Sequence, residues 1–230
     1  MQTAFNTHGS DKSSHHGYDR FYERHLGHLR EAAFNLVEIG FAQGASARAW
    51  LDIFPNAHVI ALDINAQADD PHRSPRCTVL TGDQDDPATL EMVLARIQRA
   101  AVIIDDGSHV PSHQLKAFNA WFVDLLEPGG VYVIEDVETS YWVRGSLYDN
   151  PIACGIGHPE NIVDIFKNAL HGSVNREFTV GPTPSSPIRA DAHALISSIT
   201  FGYNCIIVHK KTPAERVAFD ERPYRFAEFV

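Results

Sequence analysis

The sequence predicts an α/β fold built on a parallel sheet that finishes in an antiparallel hairpin. Three observations carry this reading. Short apolar runs alternate with stretches of helical periodicity from residue 35 to residue 134, and strands that alternate with helices imply a parallel sheet covered on both faces. The runs stop at glycine or at acidic residues, as in NLVEIG, HVIALDI, VIIDDG and VIED. The last two apolar runs are separated only by Gly202-Tyr203, a hairpin connection.

The elements follow in order. Residues 35–40 (NLVEIG) read as a short buried strand ending in glycine. Residues 45–54 read as a helix with Ala47, Trp50, Leu51 and Phe54 on one side. Residues 58–64 and 77–81 are the second and third strands. Residues 87–100 are helical, with Pro87 suited to a first turn. Residues 101–104 form the fourth strand. Residues 113–126 carry Leu115, Phe118, Phe122, Leu125 and Leu126 at helical spacing. EPGG (127–130) is a stop and turn, and 131–134 is the fifth strand. Beyond Asp136 the rhythm changes. Residues 137–158 are rich in aromatics and glycine, 159–171 read as a helix, and 172–191 as a loop of proline and glycine breakers. Residues 195–201 and 204–210 are the hairpin strands. The chain reads as a single catalytic domain over 1–230, with 1–34 as an N-terminal cover segment and 137–193 as a lid or insertion.

Composition narrows the function classes. A length of 230 residues with 44% hydrophobic and 21% charged residues suits one domain with an ordinary core. The formal net charge of −10 makes nucleic acid an improbable partner. No apolar run approaches the roughly 20 residues that span a bilayer, and the start MQTAFNTHGSDKSS has neither the basic nor the apolar region of a signal peptide. Cys77, Cys154 and Cys205 are odd in number and form no CxxC pair. They fit a reducing, cytoplasmic setting and speak against cysteine-ligated zinc.

In an open α/β sheet, ligands bind beyond the carboxyl ends of the strands. The first such end is EIGFAQG, where Gly40 and Gly44 allow a tight turn and close approach of the backbone to a ligand. Asp63 ends the second strand about 20 residues on, where a carboxylate grips a ribose diol. Asp83, after the third strand, is placed to meet an adenine edge. The loop lacks the third glycine of GxGxxG and the GK[ST] of a phosphate-binding loop, and no Tyr-x-x-x-Lys pair exists. Glu38 within the strand favours S-adenosylmethionine (SAM), whose methionine end is a zwitterion rather than a pyrophosphate. Five parallel strands closed by a hairpin are the usual order of a Rossmann-like class I SAM-dependent methyltransferase domain.

The fourth strand ends in Asp105-Asp106 and the fifth in Glu135-Asp136. Neighbouring strands bring these carboxylates to one edge, where they repel unless a cation is bound. Oxygen ligands favour Mg²⁺, or else Mn²⁺ or Ca²⁺, over zinc. A hydroxyl bound to such an ion is acidified. His109, three residues past Asp106, is the natural base. Capping of the next helix is expected of one aspartate, not both. An i, i+4 zinc pair of His109 with His113 is disfavoured by Pro111, and His113 is expected to face solvent. The rival readings are a methyltransferase for a catechol-like diol, a metal-dependent hydrolase using Asp105, Asp106 and His109, and a non-catalytic SAM-binding subunit.

The segments DKSSHHGYDRFYERHL, VEIGFAQGAS, IIDDGSH, VIEDVETSYW and ITF…IIVHK resemble the sugar O-methyltransferases of antibiotic biosynthesis. The likeness is to the mycinamicin 2″-O-methyltransferase type and to rhamnosyl O-methyltransferases. The resemblance implies Mg²⁺ held by Asp106, Glu135 and Asp136, and His109 as base. It puts Asp105 on the cofactor side and Lys12, His16 and Tyr18 in a stretch that covers the cofactor and substrate pocket. The implied partner is a small-molecule glycoside or sugar acceptor, with Thr139, Tyr141 and Trp142 shaping its pocket. Macrolide members of the family carry a further N-terminal domain that helps build their tetramer. The matching segments here begin at Asp11, which leaves a homo-oligomer open.

Overall fold

The computed structural model describes residues 1–65, 74–175 and 185–215. Residues 176–184 of the expected lid and breaker loop lie outside the described residues. Seven strands form one sheet in the order β3-β2-β1-β4-β5-β9-β8. They are β1 (Asn35–Ile39), β2 (His58–Asp63), β3 (Cys77–Thr81), β4 (Ala100–Asp105), β5 (Leu126–Glu135), β8 (Ile196–Gly202) and β9 (Cys205–Lys210). β1 to β5 run parallel, β9 is antiparallel to β5, and β8 is antiparallel to β9. This is the expected architecture. Two further strands, β6 (Gly145–Leu147) and β7 (Asn150–Ile152), pair as a separate hairpin.

Successive side chains of a strand point to opposite faces, and the two faces are closed by different helices. Val37, Ile39, Ile103, Tyr132 and Ile134 face α5 (Pro87–Leu94), α6 (Pro111–Asp124), α7 (Ile162–Gly172) and α8 (Ala190–Leu195). Leu36, Val59, Val102, Ile104 and Val133 face α1 (Gln2–His8), α3 (Asp19–Leu26) and α4 (Ala45–Ile53). Between α1 and α3 lies the single turn α2 (Asp11–Ser14). The second face is centred on Trp50. Its ring meets Phe5 edge-on at 4.8 Å and Tyr22 edge-on at 4.9 Å, so residues 1–26 dock by burying aromatic surface.

Several boundaries differ from expectation: α7 starts at Ile162 rather than residue 159, and α8 (Ala190–Leu195) stands where a loop and the start of a strand were expected. α5 stops at Leu94 rather than residue 100. β5 starts at Leu126, because Leu126 pairs with Ala100 before Val131 pairs with Val102, and EPGG bulges out between the two. α6 starts at Pro111 as its first residue, not at His113. Proline at that position lacks only an N–H that a helix start leaves unpaired, so Pro111 begins the helix instead of breaking it.

The far end of α6 is closed by a buried cation. Lys210 on β9 donates to the carbonyls of Phe122 (2.7 Å), Val123 (3.0 Å) and Leu126 (2.6 Å). It neutralises the negative end of the helix and satisfies carbonyls that have no partner within the helix. Lys210→Met keeps the length of the side chain and removes these bonds. It should lower unfolding stability by about 2–3 kcal/mol, read as a shifted urea midpoint with an unchanged slope.

Candidate active site at the carboxyl edge of the sheet

The pleat divides the acidic residues. Ile39 pairs with Asp105, and Asp105 with Ile134, so Asp105 points to the α6 face. Glu38 and Glu135 point to the opposite face, where α1, α3 and α4 pack. Asp106 and Asp136 follow their strands and remain at the open edge, with side chains 24% and 15% exposed. Of the four carboxylates expected together, Asp105 is turned to the α6 face, whereas Glu135 stays within a lysine bridge of Asp106 and Asp136 stays at the open edge.

The cation facing Glu135 belongs to the chain itself. The buried Lys12 ammonium donates to Asp106 Oδ2 at 2.5 Å and to both Glu135 oxygens at 2.9 and 2.7 Å, and lies 3.5 Å from Glu38. Burial alone would lower its pKa, but Asp106, Glu135 and Glu38 outweigh this and hold it well above the ordinary lysine value. Glu135 also accepts from the Tyr22 hydroxyl. Burial pushes Glu135 up to about 7, against the pull of Lys12.

Asp106, His109 and Asp136 converge, each offering a ligand atom within 4.8 Å of the others. His109 Nε2 lies 3.9 Å from Asp106 Oδ1 and 3.6 Å from Asp136 Oδ2. Its Nδ1 is buried and has no hydrogen-bond partner among the described residues. Burial raises the Asp136 pKa. His109 and Asp136 both have positive φ, 56° and 52°, uncommon for residues other than glycine and a form of strain that collects at functional sites. Thr139 Oγ1 donates to the His109 carbonyl at 2.6 Å. The Tyr18 hydroxyl donates to Asp136 Oδ1 at 2.5 Å, and Asn204 Nδ2 donates to the same oxygen at 3.0 Å. The donor set of two carboxylates and one imidazole at an open edge fits a divalent cation, which would be held by Asp106 and Asp136 with His109 beside it.

The residues expected around a nucleoside are placed variously. Gly40 has φ 96°, and a Cβ there would sit 2.0 Å from the Asp106 carbonyl. Glycine is therefore required here by the close approach of the chain's own β4 loop. Gly44, at φ 71°, precedes α4. Asp63 Oδ2 accepts from Phe41 N (3.0 Å) and Ala42 N (2.9 Å) and so shapes the glycine loop. Asp83 is exposed, with one oxygen accepting from Asp85 N.

Glu38 is fully buried and accepts from Ser46 (2.8 Å) and Trp50 (3.0 Å), so it anchors α4. Tyr18 is 1% exposed and supports Asp136. The solvent-facing placement expected of His113 is corrected: it is only partly exposed, with Nδ1 3.0 Å from Ser108 Oγ. Asp105 is fully buried, and burial raises it to about 6. Its neighbour Gln84, which sequence reasoning passed over, donates to Asp105 at 3.5 Å and accepts from Ser108 N at 3.3 Å. Tyr22 and Asn204 were also passed over, since neither stands in a strand-end motif. Among the lid residues, Thr139 is buried, the Trp142 ring packs over Gly145, and Tyr141 lines a cleft of about 420 Å³ beyond His16.

The fold is a Rossmann-like methyltransferase fold. The family described as "Methyltransferase domain" matches residues 37–137. The chain is a homologue of the sugar O-methyltransferases of antibiotic pathways. It is 38% identical over 174 residues to the 8-demethyl-8-alpha-L-rhamnosyl tetracenomycin-C 2'-O-methyltransferase of Streptomyces olivaceus, covering 72% of this chain and 45% of that protein. It is 31% identical over 164 residues to the mycinamicin VI 2''-O-methyltransferase of Micromonospora griseorubida, covering 66% of this chain and 40% of that protein. The MycE methyltransferase of the mycinamycin pathway, solved in complex with Mg and SAH, superposes with a TM-score of 0.78. It is 25% identical over 92% of this chain and 54% of that one. The chain thus spans about half the length of these relatives or less.

The Lys12 network predicts a strong coupling. Lys12→Met leaves Glu38 and Glu135 buried without a counter-charge and should cost about 3–5 kcal/mol of stability. Glu135→Gln added to it should recover more than 1 kcal/mol of that loss. A double-mutant cycle from urea unfolding measures the difference.

Proposed function

We propose that this chain transfers a methyl group from SAM to a sugar hydroxyl of a glycosylated small molecule, with Mg²⁺ bound at Asp106 and Asp136. The observation that carries the reading is the convergence of Asp106, His109 and Asp136 at the edge where β4 and β5 end, one strand away from the glycine loop that follows β1. Support also comes from the relatives, whose names specify rhamnosyl and mycinamicin acceptors, and from Mg and SAH in the MycE complex. The whole of residues 1–230 is read as one catalytic unit, with 1–34 covering the site.

SAM supplies an electrophilic methyl group, and a divalent cation acidifies a hydroxyl coordinated to it. The chain's own residues do the rest. Asp106 Oδ1 and Asp136 Oδ2 offer the ion hard oxygen donors. Glu135, the third ligand that the resemblance implies, would join them by sharing its carboxylate with Lys12 or leaving it. His109 Nε2 faces both aspartates and takes the hydroxyl proton. Asp63 and the loop at Gly40 and Gly44 border the nucleoside, with the exposed Asp83 at its far side. Asp105 and Gln84 brace the loop that carries His109. The hydrolase alternative needs Asp105 beside Asp106 and His109, and the pleat turns Asp105 onto the other face.

Methyl transfer from labelled SAM to a panel of rhamnosides and other deoxysugar glycosides, with catechols as the rival class, tests the reading. Turnover should require Mg²⁺ and vanish in excess EDTA. Asp106→Asn and Asp136→Asn should each abolish Mn²⁺ binding by calorimetry while S-adenosylhomocysteine (SAH) binding persists. His109→Ala should lower kcat by roughly 10²–10⁴-fold with SAH affinity unchanged. Full activity in EDTA, or an unaltered rate in His109→Ala, refutes the corresponding role.

A further inference from the structure

One aromatic side chain outside every sequence motif stands over the reacting groups. The β6–β7 hairpin turns through Tyr148 and Asp149, whose φ values are 48° and 62°. Two-residue turns of this kind need positive φ at both positions and normally use asparagine, aspartate or glycine. A tyrosine there is a backbone outlier, the kind of cost that persists where function requires it. The hairpin is held in place. The Trp142 ring lies where a Cβ on Gly145 would approach it to 2.6 Å, and Cys154 N donates to the Trp142 carbonyl at 2.8 Å. Asn150 Nδ2 donates to the Tyr148 carbonyl at 3.1 Å and closes the turn.

The hairpin brings the Tyr148 ring to 6.1 Å from the His109 ring, at 44° between planes. Even so, 70% of the residue stays open to solvent. Its hydroxyl senses the same charges as the site: burial, then Asp106 and Asp136, raise its pKa. Large aromatic surface left exposed beside a polar reacting centre suits a ligand with one apolar face and one hydroxylated edge. A deoxysugar ring has both. Its C–H face can lie on the ring while an edge hydroxyl reaches His109.

We infer that Tyr148 is a specificity-determining residue, the wall against which the acceptor sugar seats so that its hydroxyl meets His109 and the Asp106–Asp136 pair. The inference rests on the sugar-acceptor reading above and adds a residue to it.

The test is binding of phenyl α-L-rhamnopyranoside to the SAH- and Mg²⁺-loaded protein, followed by NMR titration, for wild type, Tyr148→Ala and Tyr148→Phe. Tyr148→Ala should weaken binding roughly tenfold or more, and Tyr148→Phe should stay within about threefold of wild type, since the ring and not the hydroxyl provides the surface. SAH affinity and the unfolding midpoint should be the same in all three proteins, as expected for an exposed side chain. Equal rhamnoside affinity in wild type and Tyr148→Ala overturns the role of Tyr148 and leaves the proposed activity standing. Loss of SAH affinity in parallel with rhamnoside affinity also overturns it. Failure of the wild type to bind the rhamnoside or to methylate any glycoside overturns the activity and this inference together.

Discussion

The Lys12 ammonium holds this site together. It is 1% exposed and meets carboxylates from the ends of β1, β4 and β5. Without it, Glu38 and Glu135 would be buried charges with no counter-ion, an arrangement that proteins avoid by neutralising the group or losing stability. The residue comes from α2, a single turn outside the sheet. The N-terminal segment therefore docks for two reasons. Phe5 and Tyr22 bury their rings around Trp50, and Lys12 completes a charge balance that the sheet lacks by itself. His16, Tyr18 and Tyr22 follow from the same segment, so one stretch of chain approaches Asp106, Glu135 and Asp136.

This arrangement also sorts the carboxylate oxygens. Lys12 engages Oδ2 of Asp106 and both oxygens of Glu135. Tyr18 and Asn204 engage Oδ1 of Asp136. The Asp106 Oδ1 and Asp136 Oδ2 atoms remain directed at His109. On the acidic edge the tethered ammonium thus takes one oxygen of Asp106, and among the described residues no ammonium engages the Asp106 Oδ1 and Asp136 Oδ2 atoms beside it. Asp106 lies between Lys12 and His109, so a charge on either side of it is felt on the other.

Much of the fold was legible because short apolar runs such as NLVEIG and VIID can satisfy their backbone only as buried strands between helices. The boundaries that moved, at Pro111 and at EPGG, depend on how a proline or a bulge fits its tertiary neighbours. The edge acids were legible as a cluster, but their sorting was not. Asp105 and Asp106 are adjacent in sequence and end in different environments because the side-chain period of a strand is two. Lys12 carries no strand-end signal. Its position is set by the docking of Phe5 and Tyr22, contacts formed across long stretches of chain. Gln84 and Tyr148 were silent for the same reason: a loop residue and a hairpin tip acquire meaning only when the tertiary fold brings Ser108 or His109 beside them.

The backbone at the two strand ends ties these points together. Were β5 to continue extended past Glu135, residue 136 would project to the face opposite Glu135, among the apolar contacts of α6. Positive φ at Asp136 ends that alternation and keeps the carboxylate at the edge. His109 makes a comparable turn just before α6. Each turn costs on the order of 1–3 kcal/mol, and each is held by bonds from elsewhere in the chain: Thr139 to the His109 carbonyl, and Tyr18 and Asn204 to Asp136. Tyr18 lies on the same N-terminal segment as Lys12. Docking of that segment therefore supplies both the charge that stabilises the buried acids and the hydrogen bond that holds the strained one. The geometry of the edge is set by a part of the chain that lies outside the sheet.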